Sequence, residues 1–279
     1  MAQGPTMREP STRDYGAVAR VGVAVPYANP TVEPELRVLL PSGIGLYATR
    51  LVHPAPDVGM RLDHYIRHLP EAIRSFGNMG LAAFGFGCTG SSYRAGVALE
   101  DRLSAEAAAA CGLPVITAAQ ALRAALAALG ARRIALVAPY PADLHEAGLR
   151  YWRDAGVEVV ASLRVDPTLD DTHRIYELTS DDALDALRRV DGRGAVCLVA
   201  SGTGMPTLRA LRQLTAAAAR PAASGAASGT ASGAATAVEA VAALPVLSSN
   251  LCLAWALLRA VAPTRAPLTP QGLLDPTDH

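Results

Sequence analysis

The stretch GFGCTGSS, residues 85–92, holds a cysteine at a position where its thiol could react. Cys88 follows an apolar run that is typical of a β-strand, and the threonine, glycine and serines after it indicate a turn into a helix. Glycine lets the main chain approach a ligand closely, and free N–H and hydroxyl groups suit a carboxylate. We therefore expect Thr89, Gly90 and Ser91 to bind substrate beside the thiol.

The same position should make the thiol of Cys88 reactive. A helix start and its donors lower the pKa of a thiol, so we expect part of Cys88 to be thiolate near neutral pH. The alternative is a small buried cysteine that packs at the end of a strand. The flanking glycines and hydroxyl groups favour the reactive cysteine.

A second stretch of similar type, SGTGMP, has glycine where the first has cysteine. Ser201, Gly202, Thr203 and Gly204 supply main-chain donors and two hydroxyl groups, and we expect them to bind substrate. An unactivated serine hydroxyl is a poor nucleophile or proton donor, so Ser201 is a weak substitute for a thiol. An ordinary turn between a strand and a helix is the alternative.

Polar side chains in two further loops could hold a second carboxylate or an enediolate oxygen. Tyr27 and Asn29 follow the first predicted strand, and Tyr140 follows the strand RIALVA. Helix capping is the alternative for Asn29. Thr172 and His173 are further candidate contacts, although a surface histidine is the more ordinary interpretation.

The composition excludes several classes of chemistry. All 25 basic residues are arginine, which excludes Schiff-base enzymes, pyridoxal-phosphate enzymes built on a lysine, and Walker-type phosphate loops. The formal charge is zero and the pI about 7.0, so we expect no nucleic-acid partner. The four cysteines have no CxxC spacing and form no metal-ligand pattern with the histidines, so we expect no metal and no cofactor.

Targeting signals are also missing from the sequence. Residues 1–19 are polar and contain proline and glycine, so we interpret them as a disordered tail and not a signal peptide. No apolar stretch reaches the ~18 residues that span a bilayer, so we expect no membrane partner. These features predict a cytoplasmic protein with reduced thiols, and they leave a homo-oligomer open.

An internal repeat organises the chain. Short β-branched and leucine-rich runs alternate with helical patterns, which predicts an α/β fold with parallel sheets. Pro26-Tyr27 recurs 113 residues later, Cys88 aligns with Gly202 at 114, and LPVIT recurs as LPVLS at 131. We infer two similar Rossmann-like halves related by a pseudo-twofold axis. Ligands of open α/β sheets bind beyond the carboxyl ends of the strands, so the site should lie in the cleft between the halves.

The repeat also predicts domain boundaries. The first half covers residues 20–116 together with about 248–265, and the second covers residues 117–247. Within the second half, the Ala/Gly/Ser-rich segment 216–236 is interpreted as a flexible insertion, and residues 266–279 as a tail.

These motifs resemble, in the same order, those of the aspartate/glutamate racemase superfamily, in its branch of maleate cis–trans isomerases and arylmalonate decarboxylases, including relatives linked to ectoine utilisation. The resemblance runs from about Arg20 to Ala262 through VPYANPTVEPE, GCTGSS, APYPADLHEAG, GTGMPTL and LPVLSSN. It implies a cofactor-free enzyme of two Rossmann-like halves with one catalytic cysteine in each.

The resemblance assigns the first catalytic cysteine to Cys88 and carboxylate binding to Asn29 and Tyr140. The second cysteine position is Gly202 in this sequence, which departs from the two-cysteine pattern. The family's asparagine near Thr172 is not evident either. Ser201 or water would have to replace the missing thiol.

One thiol leaves two reactions open for a small carboxylate or dicarboxylate. Cys88 thiolate could add to an activated double bond, permit rotation and leave, as in a maleate isomerase. Alternatively, a carboxylate is expelled and Cys88 protonates the enediolate from one side, as in an arylmalonate decarboxylase, with ectoine catabolism as one setting. Isomerisation is preferred because Cys88 lies in the matching half. A catalytically idle small-molecule-binding protein is the hypothesis from another class.

Overall fold

Two parallel β-sheets of identical strand order form the framework of the protein. A computed structural model describes residues 13–219 and 244–274. The first sheet has the order β2-β1-β3-β4, with strands β1 (Ala19–Pro26), β2 (Ile44–Leu51), β3 (Ala83–Phe86) and β4 (Val115–Thr117). The second has the order β6-β5-β7-β8, with strands β5 (Arg133–Ala138), β6 (Glu158–Arg164), β7 (Cys197–Ala200) and β8 (Val246–Ser248). The prediction of two similar α/β halves is confirmed.

Helices connect the strands, as parallel sheets require. Up to the start of β5 these are α1 (Val32–Leu39), α2 (Val58–Arg67), α3 (Leu69–Arg74), α4 (Thr89–Ala95), α5 (Val97–Cys111) and α6 (Ala118–Ala128). They are followed by α7 (Ala142–Asp154), α8 (Ser180–Arg189), α9 (Leu208–Ala218) and α10 (Ser249–Val261). A 3₁₀ helix, Thr172–Glu177, lies between β6 and α8. Within the described residues, no helix is long and apolar enough to cross a membrane.

Several strands are buried along all or nearly all of their length. Every residue of β3, β7 and β8 is buried, as is every residue of β5 after the first. Helix α10 is apolar on nearly all sides and packs against α6, α1 and β3, so it fills the space between the sheets. Its Trp255 is fully buried and donates from Nε1 to the carbonyl of Pro267 (2.9 Å).

The predicted boundaries of the halves remain predictions. Helix α9 ends at Ala218, so the start of the segment 216–236 belongs to a helix. Residues 220–236 lie outside the described residues, as do 1–12 of the predicted first tail and 275–279 of the second. A 3₁₀ turn at Pro270–Leu274 buries Leu273 and Leu274.

A buried carboxylate ties the two halves together. Glu35 of α1 accepts hydrogen bonds from the main-chain N–H groups of Thr207 (2.6 Å) and Leu208 (2.8 Å), at the start of α9. It also accepts one from the side-chain amide of Asn250 (2.8 Å) in α10. Burial raises the pKa of Glu35, while these donors oppose the shift. A helix of one half is thus capped by an acid of the other.

Replacing Glu35 should therefore loosen the contact between the halves. In Glu35→Gln the new amide nitrogen cannot accept hydrogen bonds, so at least one buried N–H group loses its partner. We expect a loss of about 1–3 kcal/mol in the free energy of unfolding, measured by thermal or urea denaturation. Glu71→Gln is the matched control, because Glu71 forms only an exposed pair with Arg74. Equal stability of the two variants would contradict this role for Glu35.

Candidate active site

A small cavity lies where the carboxyl ends of the strands of both halves meet. Its volume is about 60 Å³, which suits a small ligand. The residues that line it are Pro26, Tyr27, Asn29, Val58, Arg61, Leu62, Tyr65, Cys88, Thr89, Gly90, Tyr140, Leu144, Thr172, His173, Ile175, Tyr176, Thr203 and Gly204. The lining comes from both halves, so the predicted position in the cleft between them is confirmed.

Cys88 lies directly after β3, and its sulfur is held by polar groups of the following turn. Its side chain is 4% exposed, and Sγ is 3.2 Å from the hydroxyl oxygen of Ser91. The main-chain N–H groups of Gly90 and Ser91 also hydrogen-bond the sulfur. These groups suit a thiolate, although Ser91 supports the sulfur from outside the cavity lining.

Burial changes the acidity that the sequence predicts for this thiol. Desolvation raises the pKa of Cys88, and the hydrogen bonds from Ser91 and Gly90 lower it by less. The expectation of a partly ionised thiol near neutral pH is therefore wrong, because the pKa of Cys88 lies above its ordinary value. The sequence indicated the hydrogen-bond donors next to the sulfur. It could not indicate that apolar residues such as Leu62 and Leu144 line the same cavity as the sulfur and lower its exposure to water.

Hydroxyl groups join the two strand tips around the cavity. The hydroxyl of Thr203 donates to the carbonyl of Gly87 (2.8 Å), directly before Cys88. The hydroxyl oxygen of Ser249, at the start of α10, accepts from the Thr89 hydroxyl (3.1 Å) and from the main-chain N–H of Gly202 (3.0 Å). One serine thus links the cysteine turn of the first half to the glycine turn of the second.

Gly202 has no room for the cysteine that the resemblance would place there. Its φ is +105°, a conformation that residues with a side chain rarely adopt. A Cβ atom built on it would lie 2.9 Å from the ring of Pro139 and 3.4 Å from the hydroxyl oxygen of Tyr140. A proline ring cannot rotate away. The conformation of this turn and its contact with Pro139 therefore exclude a cysteine side chain at position 202.

Ser201 is placed away from the cavity lining. Its hydroxyl oxygen is 2.6 Å from the hydroxyl oxygen of Tyr93, which also accepts a hydrogen bond from Nε1 of Trp152 (2.8 Å). Ser201 is fully buried in this chain of hydrogen bonds. It therefore supports the second turn from behind, and nothing in its contacts marks it as a substitute for a thiol.

Thr203 and Gly204, in contrast, line the cavity as predicted residues of the second turn. Within the described residues, their main-chain N–H groups donate to no protein acceptor. Two such donors side by side can stabilise an oxyanion.

Asn29 holds the turn into α1 and also lines the cavity. Its side-chain oxygen accepts from the main-chain N–H groups of Thr31 (2.9 Å) and Val32 (3.2 Å), which caps the turn into α1. Its amide nitrogen lies 3.4 Å from the hydroxyl oxygen of Thr203, and the residue lines the cavity. Tyr140 also lines the cavity, and burial is the main cause that raises its pKa, so its hydroxyl is a donor that stays protonated.

Helix α2 supplies a wall of the cavity that the sequence analysis missed. Val58, Arg61, Leu62 and Tyr65 line the cavity and are spaced as one face of a helix. The signal in the sequence was this spacing in VGMRLDHY. Nothing in the sequence alone tells which half-buried helix packs over the site.

A hydrogen bond between the halves closes one side of the cavity. The hydroxyl oxygen of Tyr27 is 2.6 Å from Nε2 of His173, and Nδ1 of His173 is 3.1 Å from Oδ1 of Asp171. Tyr27, Thr172 and His173, which the sequence analysis named as candidate contacts, all line the cavity.

The comparisons with known proteins agree with this geometry. A family model described as arylmalonate decarboxylase matches residues 21–243. The maleate isomerase Iso from Pseudomonas putida S16, solved with maleate, is 23% identical with a TM-score of 0.71, covering 93% of this chain and 98% of that chain. Comparison with curated protein sequences gives no match.

Two further solved structures are similar. The maleate cis–trans isomerase from Nocardia farcinica, a cysteine-to-serine variant with a covalently bound succinylcysteine intermediate, is 22% identical with a TM-score of 0.71, covering 92% of this chain and 98% of that chain. An arylmalonate decarboxylase is 20% identical with a TM-score of 0.65, covering 87% and 92%. At these identities the solved structures establish the fold.

The pKa of Cys88 predicts slow alkylation at neutral pH. Only the thiolate reacts with iodoacetamide, so we expect Cys88 to react about tenfold or more slowly than a free thiol at pH 7. Its rate should still rise with pH above the ordinary thiol value of 9.0. Mass spectrometry of the Cys88 peptide measures the rate, with the half-buried Cys111 as internal comparison. A rate that levels off below pH 8 would contradict the raised pKa.

The geometry of Gly202 predicts that a second cysteine cannot simply be restored. Gly202→Cys should lower any activity of the protein and reduce its stability by about 1–3 kcal/mol, from backbone strain and the contact with Pro139. Gly156→Ala is the control for strain alone, since Gly156 also has positive φ (+73°) but no atom lies within 4 Å of the added Cβ. Higher activity of Gly202→Cys at unchanged Tm would overturn this expectation.

Proposed function

The chain belongs to the arylmalonate decarboxylase family, and from this premise we propose that it is a cofactor-independent isomerase of a small unsaturated dicarboxylate that uses Cys88 as its only reacting thiol. The observation that carries the proposal is the single sulfur, with hydrogen-bond donors from its own turn, in a cavity lined by both halves. Its substrate-binding residues are proposed to be Asn29, Thr89, Gly90, Tyr140, Thr203 and Gly204 in the lining, with Ser91, Ser201 and Gly202 supporting them.

The first step forms a bond between Sγ of Cys88 and one alkene carbon. The π electrons move through the other alkene carbon into its carboxylate, which becomes an enediolate. The thiol proton passes to an oxygen of this enediolate, since burial keeps the thiol protonated beforehand. The former double bond is now a single bond and can rotate. Return of the proton to sulfur and cleavage of the S–C bond release the trans isomer.

The donors around the cavity are suited to the charge that develops in this step. The main-chain N–H groups of Thr203 and Gly204 have no partner within the described residues, and the hydroxyl of Tyr140 stays protonated. Loss of one such donor lowers a rate by about 10²–10³ in enzymes that stabilise an oxyanion. The maleate bound to the Pseudomonas putida protein, and the succinylcysteine of the Nocardia farcinica protein, support a dicarboxylate and a sulfur–carbon bond.

The second candidate function is decarboxylation of a substituted malonate. In this reaction the bond to one carboxylate breaks, its electrons enter the remaining carboxylate, and Cys88 protonates the carbon of the resulting enediolate. The thiolate then recovers a proton from water. A raised thiol pKa favours this acid role, and the family model carries the name of this reaction. The small cavity favours the unbranched dicarboxylate over an aryl-substituted one.

Replacement of Cys88 tests both reactions. We expect Cys88→Ala to lower turnover by about 10³-fold or more, because no other thiol lines the cavity among the described residues. The assays are cis–trans conversion of maleate, followed by NMR, and release of CO₂ from phenylmalonate. Cys111→Ser is the control and should retain activity. More than a few per cent of residual activity in folded Cys88→Ala would refute the proposal.

The assays also separate the remaining hypotheses. Turnover of neither substrate, with tight binding of both, would favour a catalytically idle binding protein. Assignment to ectoine catabolism, to the cytoplasm and to a homo-oligomer stays a prediction from the sequence.

A further inference from the structure

Arg61 is a buried cation that the reaction above does not use. It lies on the face of α2 that lines the cavity, and the residue is 9% exposed. We propose that its guanidinium binds the carboxylate of the substrate that is remote from the reacting carbon, and so selects dicarboxylates over monocarboxylates. This inference rests on the proposed function.

The partners of Arg61 do not neutralise its charge. Nη1 donates to the main-chain carbonyls of Ala55 (2.9 Å) and Pro56 (2.7 Å), which fix the side chain without supplying an anion. Among the ion pairs of the described residues, none includes Arg61. A buried charge without a counter-charge is costly, so this position is stabilised when an anion binds.

Two acids near this wall, Asp57 and Asp171, form hydrogen bonds with other groups. Asp57 caps α2 by accepting from the main-chain N–H of Met60 (2.6 Å). Asp171 accepts from the main-chain N–H of His173 (2.9 Å) and lies 3.1 Å from its Nδ1. Arg61 contributes only the last of the causes that lower the pKa of Asp171. Both acids therefore leave the guanidinium available to a ligand.

The rest of Arg61 can reach such a ligand. Nε and Nη2 make no hydrogen bond within the described residues. Neither atom is fully buried, so both remain accessible. Apart from Arg61 and His173, the residues that line the cavity are apolar or carry neutral hydroxyl, amide and thiol groups. A guanidinium with its planar donors binds a carboxylate through two parallel hydrogen bonds. Arg61 is therefore the residue of the lining that is best suited to bind a second carboxylate.

Protection of Cys88 from alkylation tests this inference without any need for turnover. Iodoacetamide reacts with Cys88 at pH 9 in a Cys111→Ser background, and succinate or butyrate is added as protectant. We expect succinate, the dianion, to protect at a concentration about tenfold or more below that of butyrate. In Arg61→Gln this preference should disappear, and Arg61→Lys should keep part of it. Arg67→Gln, on the exposed end of the same helix, is the matched control and should keep it fully.

A preference for succinate that persists in folded Arg61→Gln would overturn the inference. If that variant does not fold, the wild-type protein decides: succinate should protect Arg61 from phenylglyoxal more strongly than butyrate does, and equal protection would refute the proposal. The outcome is independent of the proposed reaction, which fails separately if the wild-type protein turns over neither maleate nor phenylmalonate.

Discussion

The hydroxyl group of Ser249 connects the two turns that form the site, and the rest of the site depends on this connection. It accepts hydrogen bonds from the turn after β3 and from the turn after β7, which are equivalent turns of the two halves. Thr203 adds a bond to the carbonyl before Cys88, and Glu35 adds the cap of α9. Because both turns are hydrogen-bonded to Ser249 at the start of α10, the thiol of one half and the main-chain donors of the other line the same cavity. A single sheet would leave these groups exposed to water.

Enclosure of the cavity determines how the thiol behaves. The donors around Cys88 would stabilise a thiolate, yet burial outweighs them and raises its pKa. Burial and hydrogen bonding do not conflict. A low-dielectric site penalises a charge on the free thiol, and the same low dielectric strengthens each hydrogen bond once charge forms. In the proposed reaction the proton of the thiol is therefore available to the substrate, since burial keeps the thiol protonated.

Much of the fold could be predicted from the repeat, while the details of the site could not. Motifs at separations of 113, 114 and 131 residues correspond to β1 and β5, β3 and β7, and β4 and β8, so the two similar halves and the cleft could be predicted from the sequence, while the strand order was not predicted. Asn29, Cys88 and Tyr140 stand at the ends of such strands, where alternating patterns place them directly. Arg61 lies on a helix whose docking depends on tertiary packing, so its spacing alone gave no reason to select it. The thiol pKa likewise depends on enclosure by residues distant in sequence.

Gly202 gives the cavity two unlike faces. In the second candidate function, a planar enediolate held between the turns would have the sulfur of Cys88 on one side and no second thiol on the other, among the described residues that line the cavity. Any proton delivered to carbon from the thiol must therefore arrive from one direction only. When the carbon carries three different substituents, delivery from one side in the proposed decarboxylation would favour one mirror-image form of the product.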